Sequence, residues 1–207
     1  MLFGAPYEKL VVRTLRRINM KNLTKWKILR SRFVLNNKWC QVRQDEIELP
    51  SGQIIDDFFV HVRPNIALVF AATEQQELVF VRQYRHGSGE ILLELPGGSF
   101  NPAQESGKSA AARELAEETG YVAEEILELA TLYDNPVKDT NCIYLYFAKN
   151  VKLASQIQLD ITEDVEVVLV PIAEVLLKIA NREICVAGSI AAIFLGVDLL
   201  NKQQFGL

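Results

Sequence analysis

The stretch "ARELAEETGY", residues 112–121, crowds Glu114, Glu117 and Glu118 together, sets Arg113 just ahead of them and stops at Gly120. Like charges this close repel, so something has to offset them. On a helix, residues four apart share a face. Glu114 and Glu118 therefore project together, while Arg113 stands four before Glu117 and can pair with it and fix it. Two converging carboxylates gain little alone. They gain much by sharing a hard divalent cation, because Mg²⁺ and Mn²⁺ prefer oxygen ligands. Mg²⁺ also keeps several waters and completes its shell with substrate phosphates. The spacing, beside a glycine turn, points to a metal–phosphate site. The plainer alternative is a solvated helix face carrying one Arg–Glu pair.

Outward from this stretch, the pattern reads as strands first and helices last. The Ala-rich run from about Glu105 to Thr119 predicts a helix, ended by Gly120 in a left-handed terminus. Upstream, "ILLELPGG" (91–98) reads as a strand closing in a Pro-Gly-Gly turn. "IALVFAATE" and "ELVFVRQYR" read as a hairpin joined at Gln75-Gln76. From Trp26 to about Val62, three segments rich in β-branched and aromatic residues predict a small antiparallel sheet, with Pro50-Ser51-Gly52 between the last two. Downstream, "ILELATLYD", "NCIYLYFAKN" and "VEVVLVPIAE" read as strands, and "IAEVLLKIAN" and "SIAAIFLGVDLL" as helices. A mixed α/β (α+β) fold follows, with helices packed on a sheet.

The 207 residues hold 49% hydrophobic and 23% charged side chains, an ordinary globular balance. No apolar run approaches the ~18–20 residues of a membrane helix, so no membrane partner is expected. The net charge of −4 argues against nucleic acid as a partner. Cys40, Cys142 and Cys185 are widely spaced and form no CxxC pair, which suits a reduced, cytoplasmic setting. Residues 1–19 are basic and lack the pattern of a secretory signal; they read as an N-terminal extension or a weak transit-like segment.

The segment from Gly98 to Tyr121 resembles the Nudix box: a glycine, a loop, a glutamate, seven residues, then Arg-Glu-apolar-x-Glu-Glu-x-Gly. Glu105 and the run Arg113 to Gly120 match without gaps. Six residues rather than five separate Gly98 from Glu105, and Tyr121 replaces an aliphatic residue. "ELVFVRQYRHG", "ELPGG", "TEDVEVVLVPIAE" and "REICVAGSIAAIFL" extend the resemblance to the ADP-ribose diphosphatase branch of that family. "YDNPVKDTN" departs from the Pro-Gly-rich loop common there. The resemblance implies a Nudix α/β/α sandwich over 64–207, a small N-terminal β domain over 20–63, and a homodimer.

It also implies roles. Glu114 and Glu118 would hold Mg²⁺ or Mn²⁺ with the backbone carbonyl of Gly97. Glu117, held by Arg113, would sit close to the metals, and Glu105, near the positive end of the helix dipole, behind them. Glu163 matches the general base, with Asp164 and Glu166 as neighbours. Arg85 matches a contact to the diphosphate or terminal ribose. Glu94 would bind substrate or orient the turn, and Gly98 would let the backbone approach the phosphates. Trp26 and Trp39 are candidates for base stacking, with core packing the alternative. His86 reads as structural. The implied reaction is hydrolysis of a nucleoside diphosphate linked to a second group, ADP-ribose to AMP and ribose 5-phosphate first. GDP-mannose or another nucleotide sugar is the rival substrate. A non-catalytic ligand sensor and an RNA-cap hydrolase are the remaining classes; the intact acids weigh against the first and the acidic balance against the second.

Overall fold

The computed structural model describes residues 23–159, 161 and 164–205. The extension 1–19 and Glu163 lie outside the described residues. The segments rich in branched and aromatic side chains form β1 (Lys27–Asn36), β2 (Gln41–Glu48) and β3 (Ile54–His61), a three-stranded sheet in that order. The chain divides into two compact units. Among the described residues, one takes in Leu23–Arg32 together with Gln44–Phe58; the other takes in Phe33–Arg43 and the described residues from Phe59 onward. In the first, the Ser31 hydroxyl donates to Asp45 at 2.5 Å. There Trp26 meets Phe58 edge-on, with centroids 5.7 Å apart.

The second unit is built on an eight-stranded sheet. Its strands are β4 (Asn65–Thr73), β5 (Glu77–Arg85), β6 (Glu90–Glu94), β7 (Gly97–Phe100), β8 (Tyr121–Val122), β9 (Ile126–Tyr133), β10 (Cys142–Leu153) and β11 (Val165–Pro171). The central path runs β11-β5-β4-β10-β8, with β6 on β5, β7 on β4 and β9 on β10. β4 and β10 are parallel, which requires a long crossover; that crossover carries helix α1 (Gly107–Thr119). Helices α2 (Val175–Ala180) and α3 (Ala187–Phe205) close the chain. None of the described helices is long and apolar enough to cross a membrane.

Strand alternation puts successive side chains on opposite faces, and both faces of β4 are apolar. Ala67, Val69 and Ala71 pack in one core with Ala110, Ala111 and Leu115 of α1. Phe70 and Ala72 pack in another with Ala192 and Ile193 of α3. The sheet is therefore covered by a helix on each face, the α/β/α sandwich expected. The small Ala110 and Ala111 bring the backbone of α1 close to the sheet, and its acids with it.

One expected element is divided. "ILLELPGG" is not a single strand: β6 ends at Glu94, β7 starts at Gly97, and the partner changes from β5 to β4. Pro96 has no N–H for a ladder, so pairing lapses there and resumes on the neighbouring strand. The start of α1 also differs. Ser106 is its N-cap, accepting the Ser109 N–H at 3.1 Å, and Glu105 stands just before it.

At the other end, Gly120 adopts φ 73° and its N–H donates to Ala116 O at 2.9 Å. A Cβ at Gly120 would lie 2.9 Å from Ser155 O. Gly120→Ala is expected to cost about 1–2 kcal/mol from the left-handed backbone alone, read as a lowered urea midpoint.

Candidate active site

Helix α1 and the turn between β6 and β7 place the acids. Glu114 and Glu118 are both buried on α1. The Gly97 N–H donates to Glu118 Oε2 at 2.8 Å, so the turn and the helix are joined at a proposed ligand. A Cβ on Gly98 would lie 2.5 Å from the Glu114 carboxyl carbon. The backbone lies against the carboxylate, and a side chain there would displace it. Gly98→Ala is expected to lower kcat about tenfold or more by moving Glu114, with the fold kept as read by circular dichroism.

Arg113 does more than fix Glu117. Its guanidinium reaches Glu117 Oε2 at 2.8 Å and Glu114 Oε1 at 2.8 Å, and it grips Glu105 with two bonds of 2.8 and 3.3 Å. One planar fork thus holds three carboxylates, Glu114 among them. Glu105, placed by the sequence in the helix dipole, sits outside the first turn and acts on the cluster through Arg113. The Arg113 pKa is raised above its already high ordinary value. Glu105 is the main cause, opposed by burial and followed by Glu117 and Glu114. The network therefore keeps its positive centre at any working pH.

A cleft of about 1370 Å³ opens beside this cluster. Arg85, Glu94, Gly97, Gly98 and Glu118 all line it. Arg85 and Glu94 form a two-pronged pair, Nε to Oε1 at 2.8 Å and Nη2 to Oε2 at 3.2 Å. Glu94 is nearly buried and fixes the plane of the guanidinium, the group suited to bidentate phosphate contact. Glu105, Arg113, Glu114 and Glu117 are not part of the lining. Among the described residues no three acidic, histidine or cysteine side chains converge on one cation position. The donors available are two carboxylates and backbone oxygen, a set that suits Mg²⁺, which takes few protein ligands and keeps its waters.

The lining also includes His61 and Arg63, which the sequence reading did not single out. His61 Nδ1 lies 3.0 Å from Asp139 Oδ1, and Arg63 Nη1 donates to Asp139 at 3.1 Å and to Asp134 at 3.5 Å. Main-chain bonds from His61 N to Lys138 O and from Thr140 N to His61 O tie the 134–140 loop to this part of the lining. No local signal joins positions 71 to 78 apart. Trp39, 71% exposed, lines the same cleft, with Lys38 Nζ 4.4 Å from its ring centroid. Trp26 does not line it and packs on Phe58 instead. His86 lines it too, with Nδ1 3.2 Å from the Tyr84 hydroxyl. Glu166, a neighbour of the expected base, pairs with Arg82 at 2.9 Å.

Comparison with known proteins decides the family. Residues 62–186 match the NUDIX domain. The chain belongs to the Nudix family. As a Nudix hydrolase it carries a second family segment, residues 26–61, matching the nucleoside diphosphate sugar hydrolase N-terminal domain. This Nudix chain is 27% identical over 166 residues to an ADP-ribose pyrophosphatase of Bacillus subtilis, covering 80% of it and 88% of that protein. It is 28% identical over 175 residues to a methanol dehydrogenase activator of Bacillus methanolicus, covering 84% and 94%. In fold it is similar to a crystal structure of ADP compounds hydrolase, with a TM-score of 0.78 at 24% identity over 88% of this chain and 98% of that one.

Proposed function

We propose that this Nudix hydrolase cleaves the diphosphate bond of ADP-ribose, releasing AMP and ribose 5-phosphate, and depends on Mg²⁺, with Mn²⁺ as a substitute. The observation that carries this reading is the convergence of the Arg85–Glu94 pair, the Gly97-Gly98 turn and Glu118 on one cleft, with Glu114 pressed against Gly98. Glu114, Glu118 and the Gly97 carbonyl would hold the metal. A divalent cation held there would supply charge neutralisation for the diphosphate oxygens and activation of a water. Arg113 keeps Glu105, Glu114 and Glu117 in place. Arg85, oriented by Glu94, binds the diphosphate. Glu163 takes the proton of the attacking water, whose oxygen joins one phosphorus while the bridging oxygen leaves with the other phosphate.

A second reading keeps the chemistry and changes the substrate to GDP-mannose or another nucleotide sugar; the match of residues 26–61 to a nucleoside diphosphate sugar hydrolase segment favours it. We place the protein in a reducing, cytoplasmic compartment, in keeping with its three free cysteines. It acts as a homodimer, with residues 20–63 as an N-terminal domain distinct from 64–207. The exposed apolar side chains of β1, among them Ile28, Phe33 and Leu35, support a partner on that strand.

The test is a panel of ADP-ribose, GDP-mannose, NADH and diadenosine polyphosphates with Mg²⁺, scored by phosphatase-coupled phosphate release. An EDTA-sensitive preference for ADP-ribose supports the leading reading. Preference for a nucleotide sugar moves the substrate, and binding without turnover points to a sensor.

A further inference from the structure

We infer that Ser189 is a positioning residue for the turn that carries Gly97. The inference rests on the reading above, in which Gly97 and Glu118 help to hold the metal.

Each residue of the turn is fastened to a different element. Glu94 is gripped by Arg85 of β5. The Leu95 N–H donates to the Ser189 hydroxyl of α3 at 3.0 Å. Pro96 O accepts from Val69 N of β4 at 3.0 Å. The Gly97 N–H donates to Glu118 of α1 at 2.8 Å. Of these fastenings, those at Glu94 and Gly97 use side chains already committed to substrate or metal. They must share or rearrange when the ligands arrive.

The Ser189 fastening is of another kind. Its side chain is fully buried and comes from 94 residues further along the chain. It does not line the cleft, although Val186, Ala187 and Gly188 just before it do. It also acts at the critical place. Between β6 on β5 and β7 on β4 the ladder lapses, and Pro96 has no N–H to offer. Leu95 therefore brings a main-chain donor into the interior at the point of the strand switch. Buried donors are nearly always paired, and Ser189 supplies the acceptor. With that bond in place, the path from Leu95 to Gly97 is fixed by a contact that substrate and metal do not disturb.

The test compares wild type, Ser189→Ala and Ser189→Thr, each checked for native circular dichroism and melting. Mn²⁺ affinity is taken by electron paramagnetic resonance on the protein without substrate, and kcat and KM are measured with ADP-ribose and Mg²⁺. Ser189→Ala is expected to weaken Mn²⁺ binding and lower kcat about tenfold each, as losses behind a ligand do. KM should stay within about twofold, because the substrate contacts are untouched. Ser189→Thr, which keeps the hydroxyl, is expected to restore both. Should the Ala variant not fold, Ser189→Cys takes its place, keeping volume while weakening the acceptor. Wild-type Mn²⁺ affinity and kcat in the folded Ala or Cys variant would overturn the inference, as would a Thr variant that fails in the same way as Ala. Wild type that binds no Mn²⁺ would overturn the metal reading itself, and the inference with it.

Discussion

Glu118→Gln is expected to reduce kcat by about a thousandfold, ~4 kcal/mol of barrier, while the melting temperature stays near that of wild type. Glutamine has the shape of glutamate and keeps an oxygen to accept the Gly97 N–H, now made at 2.8 Å. The buried site therefore loses no packing and no hydrogen bond to the turn. It loses the negative charge, which is what a divalent cation requires of that position. Steady-state kinetics with Mg²⁺ and a thermal melt on the same samples separate the two effects. A folded variant with unreduced turnover contradicts the role given to Glu118.

Arg113→Ala is expected to act on stability and activity together. One guanidinium bonds Glu105, Glu114 and Glu117, and its removal leaves three carboxylates facing one another beside Glu118. Breaking a buried ion pair costs about 3–5 kcal/mol. Arg113 is 37% exposed in its side chain, and solvent screening brings the expected loss down to about 2–3 kcal/mol. Added salt should recover part of it. Turnover should fall about a hundredfold, since the acid that leans on Gly98 loses its anchor. Arg113→Lys keeps the charge without the planar fork and should fall between the two. Urea denaturation at two ionic strengths, paired with kcat, tests this. Unchanged stability in the Ala variant would mean that the three acids do not depend on Arg113.

Helix α1 is legible in the sequence because its signals are local. Four-residue spacing, the alanine run and Gly120 all act within a few turns, and the helix ends where they say. The apolar β4, β5 and β10 are legible for the same reason: both faces are buried, so the runs are continuous. The break at Leu95-Pro96 is hidden, because "ILLEL" is apolar throughout and only the change of partner strand reveals it. The grip of Arg113 on Glu105 is hidden because eight positions separate them, beyond the reach of the four-residue rule, and only the fold brings them together. Trp26 and Trp39 carry the same chemistry in the sequence; tertiary position alone sends one onto Phe58 and the other into the cleft. His61 and Asp139 are joined by a parallel bridge between segments far apart in the chain, and Arg63 reaches Asp139 through its side chain, which no periodicity announces. Ser189, an ordinary serine in an apolar helix, gains its partner only through the strand switch.

The central claim is that this cluster of acids, joined to the Gly97-Gly98 turn, cleaves a nucleoside diphosphate. Chromatographic measurement of AMP released from ADP-ribose, by wild type and Glu118→Gln side by side in Mg²⁺, tests it most directly. The expected result is AMP and ribose 5-phosphate in equal amounts from wild type, none with EDTA present, and next to none from the variant. AMP formed equally by both proteins, or ADP-ribose left intact by a folded wild type, would contradict it.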